Sequence, residues 1–202
     1  LPTLEVEGLL CHGHGPFSLQ LQQEECVALS GPSGVGKSLL LRSIADLEPH
    51  QGVVSWNGVN SRSLTGPQWR QRIGYLAAES EWWSARVDEH FPTPDARELL
   101  PLLDFYTDVW SARVADLSTG ERQRLALLRL LAIQPQVLLL DEPTVSLDPD
   151  NSQRVEQLLE AHRHQYGTPV LWVSHDPKQI ERVADRHLIL GKGGLKLQEL
   201  AA

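Results

Sequence analysis

From Phe17 to Leu21 apolar and polar side chains alternate, the period-two pattern of a strand buried on one face. Cys26 to Ser30 is a short apolar run stopping at Gly31 and Pro32, which predicts a buried strand entering a loop. Leu39 to Leu47 is rich in apolar helix formers and predicts a helix. Val53 to Trp56 followed by Asn57-Gly58 predicts a strand meeting a hairpin turn. Pro67 suits the first turn of a short helix, and Ile73 to Leu76 is another short strand. Further on, helices are predicted over Gly120–Ile133, Asp150–His164 and Pro177–Ala184. Strands are predicted over Val137–Leu140, Val170–Ser174 and His187–Leu190. Fully apolar strands alternating with helices imply a mainly parallel sheet covered on both faces.

The stretch from Ala77 to Leu117 breaks this rhythm. It carries Trp82, Trp83, Phe91, Phe105, Tyr106 and Trp110, with prolines at 92, 94 and 101. It reads as short helices interrupted by proline, a small helical subdomain inserted into an α/β core. The expected organisation is one domain over 1–202, with the core in 1–76 and 119–202 and the insertion in 77–118.

Composition narrows the class without naming a function. The chain has 202 residues, 41% hydrophobic and 22% charged, as an ordinary globular domain does. Its 18 basic and 26 acidic residues give a net charge of −8, which argues against a general nucleic-acid binder. No apolar run approaches the roughly 20 residues of a membrane span. The N-terminus shows no basic-then-apolar signal region. Cys11 and Cys26 are too few for a disulfide framework, which fits a reducing cytoplasm.

Three motifs carry chemistry. Gly31-Pro-Ser-Gly-Val-Gly36-Lys37-Ser38 matches the phosphate-binding pattern G-x-x-x-x-G-K-[ST] at every fixed position, between a predicted strand and a predicted helix. Its glycines let backbone N–H groups turn inward, and the helix N-terminus adds positive potential. Lys37 supplies a point charge for the β- and γ-phosphates, and the Ser38 hydroxyl can ligate Mg²⁺. The strand Val137–Leu140 ends in Asp141 and Glu142, where open α/β sheets bind ligands. There Asp141 suits Mg²⁺, and Glu142 suits positioning or deprotonating an attacking water. Ser118 followed three residues later by Glu121 is a capping box, which accounts for both residues without any ligand.

Taken together, these motifs resemble the nucleotide-binding subunit of ABC transporters. The phosphate loop, Leu117-Ser118-Thr119-Gly120-Glu121, Leu139-Leu140-Asp141-Glu142-Pro143-Thr144, Ser146-Leu147-Asp148 and His175-Asp176 occur in that family's order. The resemblance implies a P-loop NTPase cassette: a mainly parallel core, an N-terminal antiparallel β-subdomain and a short inserted helical subdomain. It implies ATP and Mg²⁺ as ligands. Gly31, Pro32, Ser33, Gly34, Val35, Gly36, Lys37, Ser38 and Leu39 would hold the phosphates. Ser118, Thr119, Gly120 and Glu121 of a second cassette would cover the γ-phosphate. Asp148 would sit at the seam, although an aspartate before Pro149 is equally a helix cap. His175 would contact the γ-phosphate and keep the water and Glu142 in line.

The sequence departs from the family pattern at three places. Thr119 and Glu121 stand where the family usually has Gly and Gln. After Leu76, Ala78 falls at the position of a usual Gln, and a slip of one residue would bring Glu79 to the metal or the water. In place of the aromatic residue that stacks on adenine, His12 is nearest by register, with Phe17 as the other option.

The resemblance further implies a homodimer formed on ATP binding. It implies a separate membrane permease as partner, docking at the insertion near Trp82 and Trp83, and a location on the inner face of the cell membrane. The same two tryptophans would equally pack the insertion's own core. Two alternatives to a transport ATPase are a soluble ABC ATPase of DNA repair, chromosome structure or translation, and a weakly hydrolysing regulatory module. The net charge of −8 opposes the first, and Glu142 with His175 opposes the second.

Overall fold

The computed structural model describes residues 3–198. Two sheets organise them. The first is antiparallel and contains β1 (Thr3–Cys11), β2 (His14–Gln22), β4 (Gln51–Trp56) and β5 (Val59–Asn60), in the order β2-β1-β4-β5. The second contains β3 (Cys26–Ser30), β6 (Ile73–Leu76), β7 (Val137–Asp141), β8 (Val170–Val173), β9 (Arg186–Gly191) and β10 (Gly194–Gln198). Its order is β10-β9-β3-β8-β7-β6, parallel throughout except for the β9–β10 hairpin.

Five α-helices connect them: α1 (Lys37–Ile44), α2 (Gly66–Arg72), α3 (Thr119–Ala132), α4 (Pro149–Tyr166) and α5 (Pro177–Val183). Their ends follow local chemistry. Thr65 with Gln68, and Ser118 with Glu121, form complete capping boxes at α2 and α3. Asp148 and Asp176 cap α4 and α5 through their side chains. Gly167, in the left-handed region, ends α4.

The apolar strands of the parallel sheet feed two cores, as the two-residue period requires. Val27, Leu29, Val137, Leu139, Leu171 and Val173 face α1, α2 and the antiparallel sheet, where Leu40, Ile44, Trp56 and Trp69 are buried. Cys26, Leu138, Leu140, Val170 and Trp172 face the other way, onto Leu125, Leu128, Val155 and Leu159 of α3 and α4 and onto Leu100 and Leu103 of the insertion. Both cysteines are free and buried, and burial pushes the Cys26 thiol up to about 12.

The insertion differs from the helices expected of it. Between Leu76 and Thr119 the helical pieces are short 3₁₀ segments, the longest being Pro94–Leu103 with Pro101 inside it. Proline has no N–H to donate and blocks an α-helical turn, so the segment folds as tighter local turns. Trp82 and Trp83 flank the buried His90, with ring centroids 4.7 and 4.6 Å away. The Arg129 guanidinium of α3 lies 4.8 Å from each indole. Trp82 is half-buried, whereas Trp83 is 69% exposed.

Candidate active site

Register brings the chemistry to one edge. Leu29 of β3 pairs with Val173 of β8, which pairs with Asp141 of β7. These three neighbouring parallel strands therefore deliver Gly31, Ser174-His175 and Asp141-Glu142 to the same carboxyl end of the sheet, where such folds bind ligands.

The loop after β3 owes its shape to glycine. Gly31 has φ 144, and a Cβ there would lie 2.2 Å from the Leu190 carbonyl oxygen. Gly36 has φ 108 and is the N-cap residue of α1, an end that no side chain caps. Backbone donors of that helix start are thus suited to an anionic group. The buried Lys37 donates from Nζ to the carbonyls of Gly31 and Pro32 at 2.8 and 3.1 Å. Burial lowers its affinity for a proton, while the Glu142 and Asp141 carboxylates pull it back up, so all three charges share one site. Ser38 is exposed beside it, as are Pro32, Ser33 and Gly34, while Val35 and Leu39 are half-buried.

Asp141 is buried, and Tyr75 of β6 donates its hydroxyl to Asp141 Oδ2 at 3.4 Å. Burial and the Asp141 charge both raise the Tyr75 phenol, which keeps it a donor. The next residue, Glu142, has φ 49, a left-handed conformation that its surroundings must hold. Its Oε1 lies 3.0 Å from His175 Nε2, and both side chains reach solvent. A carboxylate and an imidazole are thus paired at the sheet edge that also carries the phosphate loop. Ser38 and Asp141 each offer an oxygen donor, the kind a hard divalent cation takes.

The remaining candidates spread around this centre. Ser118 Oγ accepts from Glu121 N at 3.2 Å, and Glu121 Oε2 accepts from Ser118 N at 2.8 Å. Ser118 Oγ also donates to Glu121 Oε2 at 2.7 Å, and this bond, together with that from Ser118 N–H, holds the Glu121 carboxyl below its ordinary range. Thr119 is exposed, and Gly120 packs so closely that a Cβ would meet Ser146 O at 3.1 Å. Asp148 accepts from Asn151 N at 3.0 Å and from its Nδ2 at 2.6 Å, so both oxygens cap α4.

Glu79 is exposed and lines a shallow hollow with Trp82, Arg113 and Arg122, away from Ser38 and Asp141. His12 projects at the β1–β2 turn with Nε2 3.4 Å from Glu48 Oε2. Its neighbour His14 is the one that reaches the loop: a Cβ on Gly36 would sit 3.0 Å from His14 Nδ1. His14 is not among the site residues expected from the sequence, although it lies only two positions from His12. Phe17 is buried in the core.

Fold and site together define a P-loop nucleoside triphosphatase. Comparison with known proteins places it more narrowly. The family model described as ABC transporter matches residues 15–145. The probable iron export ATP-binding protein FetA of Escherichia coli is 32% identical over 195 residues, covering 91% of this chain and 86% of FetA. The nickel import ATP-binding protein NikE of Escherichia coli is 31% identical over 228 residues, covering 96% of this chain and 85% of NikE. The dimeric ATP-binding cassette MJ0796, in a post-hydrolysis state bound to ADP and Pi, shares the fold with a TM-score of 0.86 at 22% identity, covering 98% and 99% of the two chains. The chain belongs to the ABC transporter family, as an ATP-binding and ATP-hydrolysing subunit that powers transport.

Proposed function

We propose that two copies of this chain pair head to tail around two ATP molecules and drive a separate membrane permease. The observation that carries the chemistry is the convergence of Lys37, Asp141, Glu142 and His175 at adjacent strand ends, with Glu142 and His175 3.0 Å apart. Gly31 to Leu39 bind the phosphates through backbone N–H groups and Lys37. Glu142 orients the attacking water and takes its proton. His175 holds Glu142 and the γ-phosphate in line. Ser38 and Asp141 would hold Mg²⁺, which neutralises phosphate charge when bound. Phosphoryl transfer demands positioning and charge rather than covalent help, and this site supplies both.

In the head-to-tail pair, Ser118, Thr119 and Gly120 of one copy face the phosphates of the other through the start of α3, where Ser118 and Thr119 are exposed. Glu121 stays engaged with Ser118, so its charge is directed into the helix cap. Asp148 lies at the seam while capping α4. His14, resting on Gly36, is the better placed of the two turn histidines to meet the base. In the loop after β6, Glu79 lies away from Ser38 and Asp141, so a metal or water contact from it requires this loop to move inward when nucleotide binds. Glu79→Ala should then raise the Mg²⁺ concentration giving half-maximal activity, and an unaltered requirement removes Glu79 from the site.

No helix among the described residues is long and apolar enough to cross a membrane, which supports a path supplied by another chain. The inserted segment presents Trp83, Leu102 and Tyr106 to solvent, an apolar surface suited to docking a permease on the inner membrane face. FetA and NikE are named for opposite directions and different metals at nearly equal identity to this chain. That supports cargo and direction being set by the permease. Lys37→Ala tests the nucleotide site: ATP affinity measured by calorimetry should be lost, and unchanged affinity would refute the phosphate-loop assignment.

A further inference from the structure

Behind the Glu142–His175 pair lies a buried polar network that the catalytic assignment does not use. Gln179, in the first turn of α5, is only 5% exposed. Its Oε1 accepts from Ser174 Oγ at 2.8 Å. Its Nε2 donates to Thr144 Oγ1 and to Glu156 Oε1, both at 2.8 Å. Ser174 Oγ in turn accepts from Asp176 N at 3.1 Å. Glu156, on α4, also receives two hydrogen bonds from Arg182, at 3.0 and 2.8 Å. Ser174, Thr144 and Glu156 are all buried.

The partners are the telling feature. Thr144 follows Glu142 by two residues, and Ser174 directly precedes His175. One carboxamide therefore bridges the two segments that carry the base and its imidazole. The Glu156 carboxylate fixes its orientation, since a flipped amide would set its carbonyl oxygen against that charge. A cleft of about 1250 Å³ lies between α4 and α5, lined by Glu142, Thr144, Glu156, His175 and Gln179. Glu142 also sits at φ 49, a conformation that persists only when neighbouring structure enforces it.

We propose that Gln179 is a positioning residue for ATP hydrolysis, holding the Glu142 and His175 segments in register through Thr144 and Ser174. The proposal rests on the roles assigned above to Glu142 and His175. It predicts that breaking the bridge lowers turnover and leaves ATP binding intact, because the phosphate loop is not part of the network. Misplacement of a catalytic group by about 1 Å reduces rate on the order of 100-fold.

The test is steady-state ATPase kinetics on the full chain. Gln179→Met keeps side-chain length and removes every hydrogen bond. Its kcat should fall about tenfold or more, with KM for ATP within about twofold of wild type. Gln179→Glu alone sets two carboxylates together and should also lose kcat. Adding Glu156→Gln reverses the polarity of the bridge, with Thr144 and the new amide at position 156 now donating and Arg182 keeping its bond to that amide's oxygen, and should recover most of the lost kcat. Wild-type kcat in a folded Gln179→Met, or no recovery in the double variant, overturns the proposal. If Gln179→Met does not fold, recovery in the double variant decides. Glu142→Gln run in parallel separates the two claims. Full turnover there removes the role of Glu142 itself, whereas lost turnover there with normal kcat in Gln179→Met overturns only the positioning role.

Discussion

At the scale of single residues, the cap at Ser118 makes a measurable claim. Two hydrogen bonds from Ser118 hold the Glu121 carboxyl below its ordinary value. A carboxyl depressed in the folded state adds stability above its unfolded value, about 4.3, and that contribution disappears as pH falls through the folded value. NMR titration should place Glu121 below 4.3, and Ser118→Ala should move it upward; an unmoved titration would separate Glu121 from the cap. His14 makes a second claim. His14→Ala should raise KM for ATP several-fold, while His12→Ala, which loses only an exposed pairing with Glu48, should leave KM unchanged. The reverse result would return the base contact to His12. The phosphate loop was legible in sequence because its residues are contiguous and each has one physical task. The approach of His14 to Gly36 was not legible, because β1 pairs with β2 through register shifts between Val6 and Leu9 and between Leu9 and Cys11, which local sequence does not encode.

Elements were legible where one pattern ran unbroken. β3 and β6 match their sequence expectations in full, since short apolar runs closed by turns or helices leave little choice of boundary. β1 alternates only as far as Val6, where Gly8 at φ 59 and the bulge interrupt it. β5 is two residues long, and β10 is a largely exposed edge strand, so neither leaves a clear pattern. α2 gives a stability prediction at this scale. Trp69 is fully buried and donates its indole N–H to the Ile44 carbonyl at 2.8 Å, joining α2 to the end of α1. Trp69→Ala should cost about 3–5 kcal/mol in denaturant unfolding. A loss under about 1 kcal/mol would show that this core collapses around the gap.

For the whole molecule, sequence indicated a parallel sheet covered on both faces but not the order β10-β9-β3-β8-β7-β6. Strand neighbours are chosen by packing between distant segments, which local periodicity does not encode. That order is what places Gly31, Asp141, Glu142 and His175 together. The net charge of −8 is compatible with a phosphate site, because the site relies on Lys37 and backbone donors rather than on a basic surface.

The central claim, that Glu142 at this sheet edge drives ATP hydrolysis between two cassettes, is tested most directly by Glu142→Gln with ATP and Mg²⁺. The account predicts that steady-state hydrolysis falls by about 100-fold or more, that ATP still binds, and that the protein runs as an ATP-bound dimer in light scattering. Hydrolysis at the wild-type rate would contradict it.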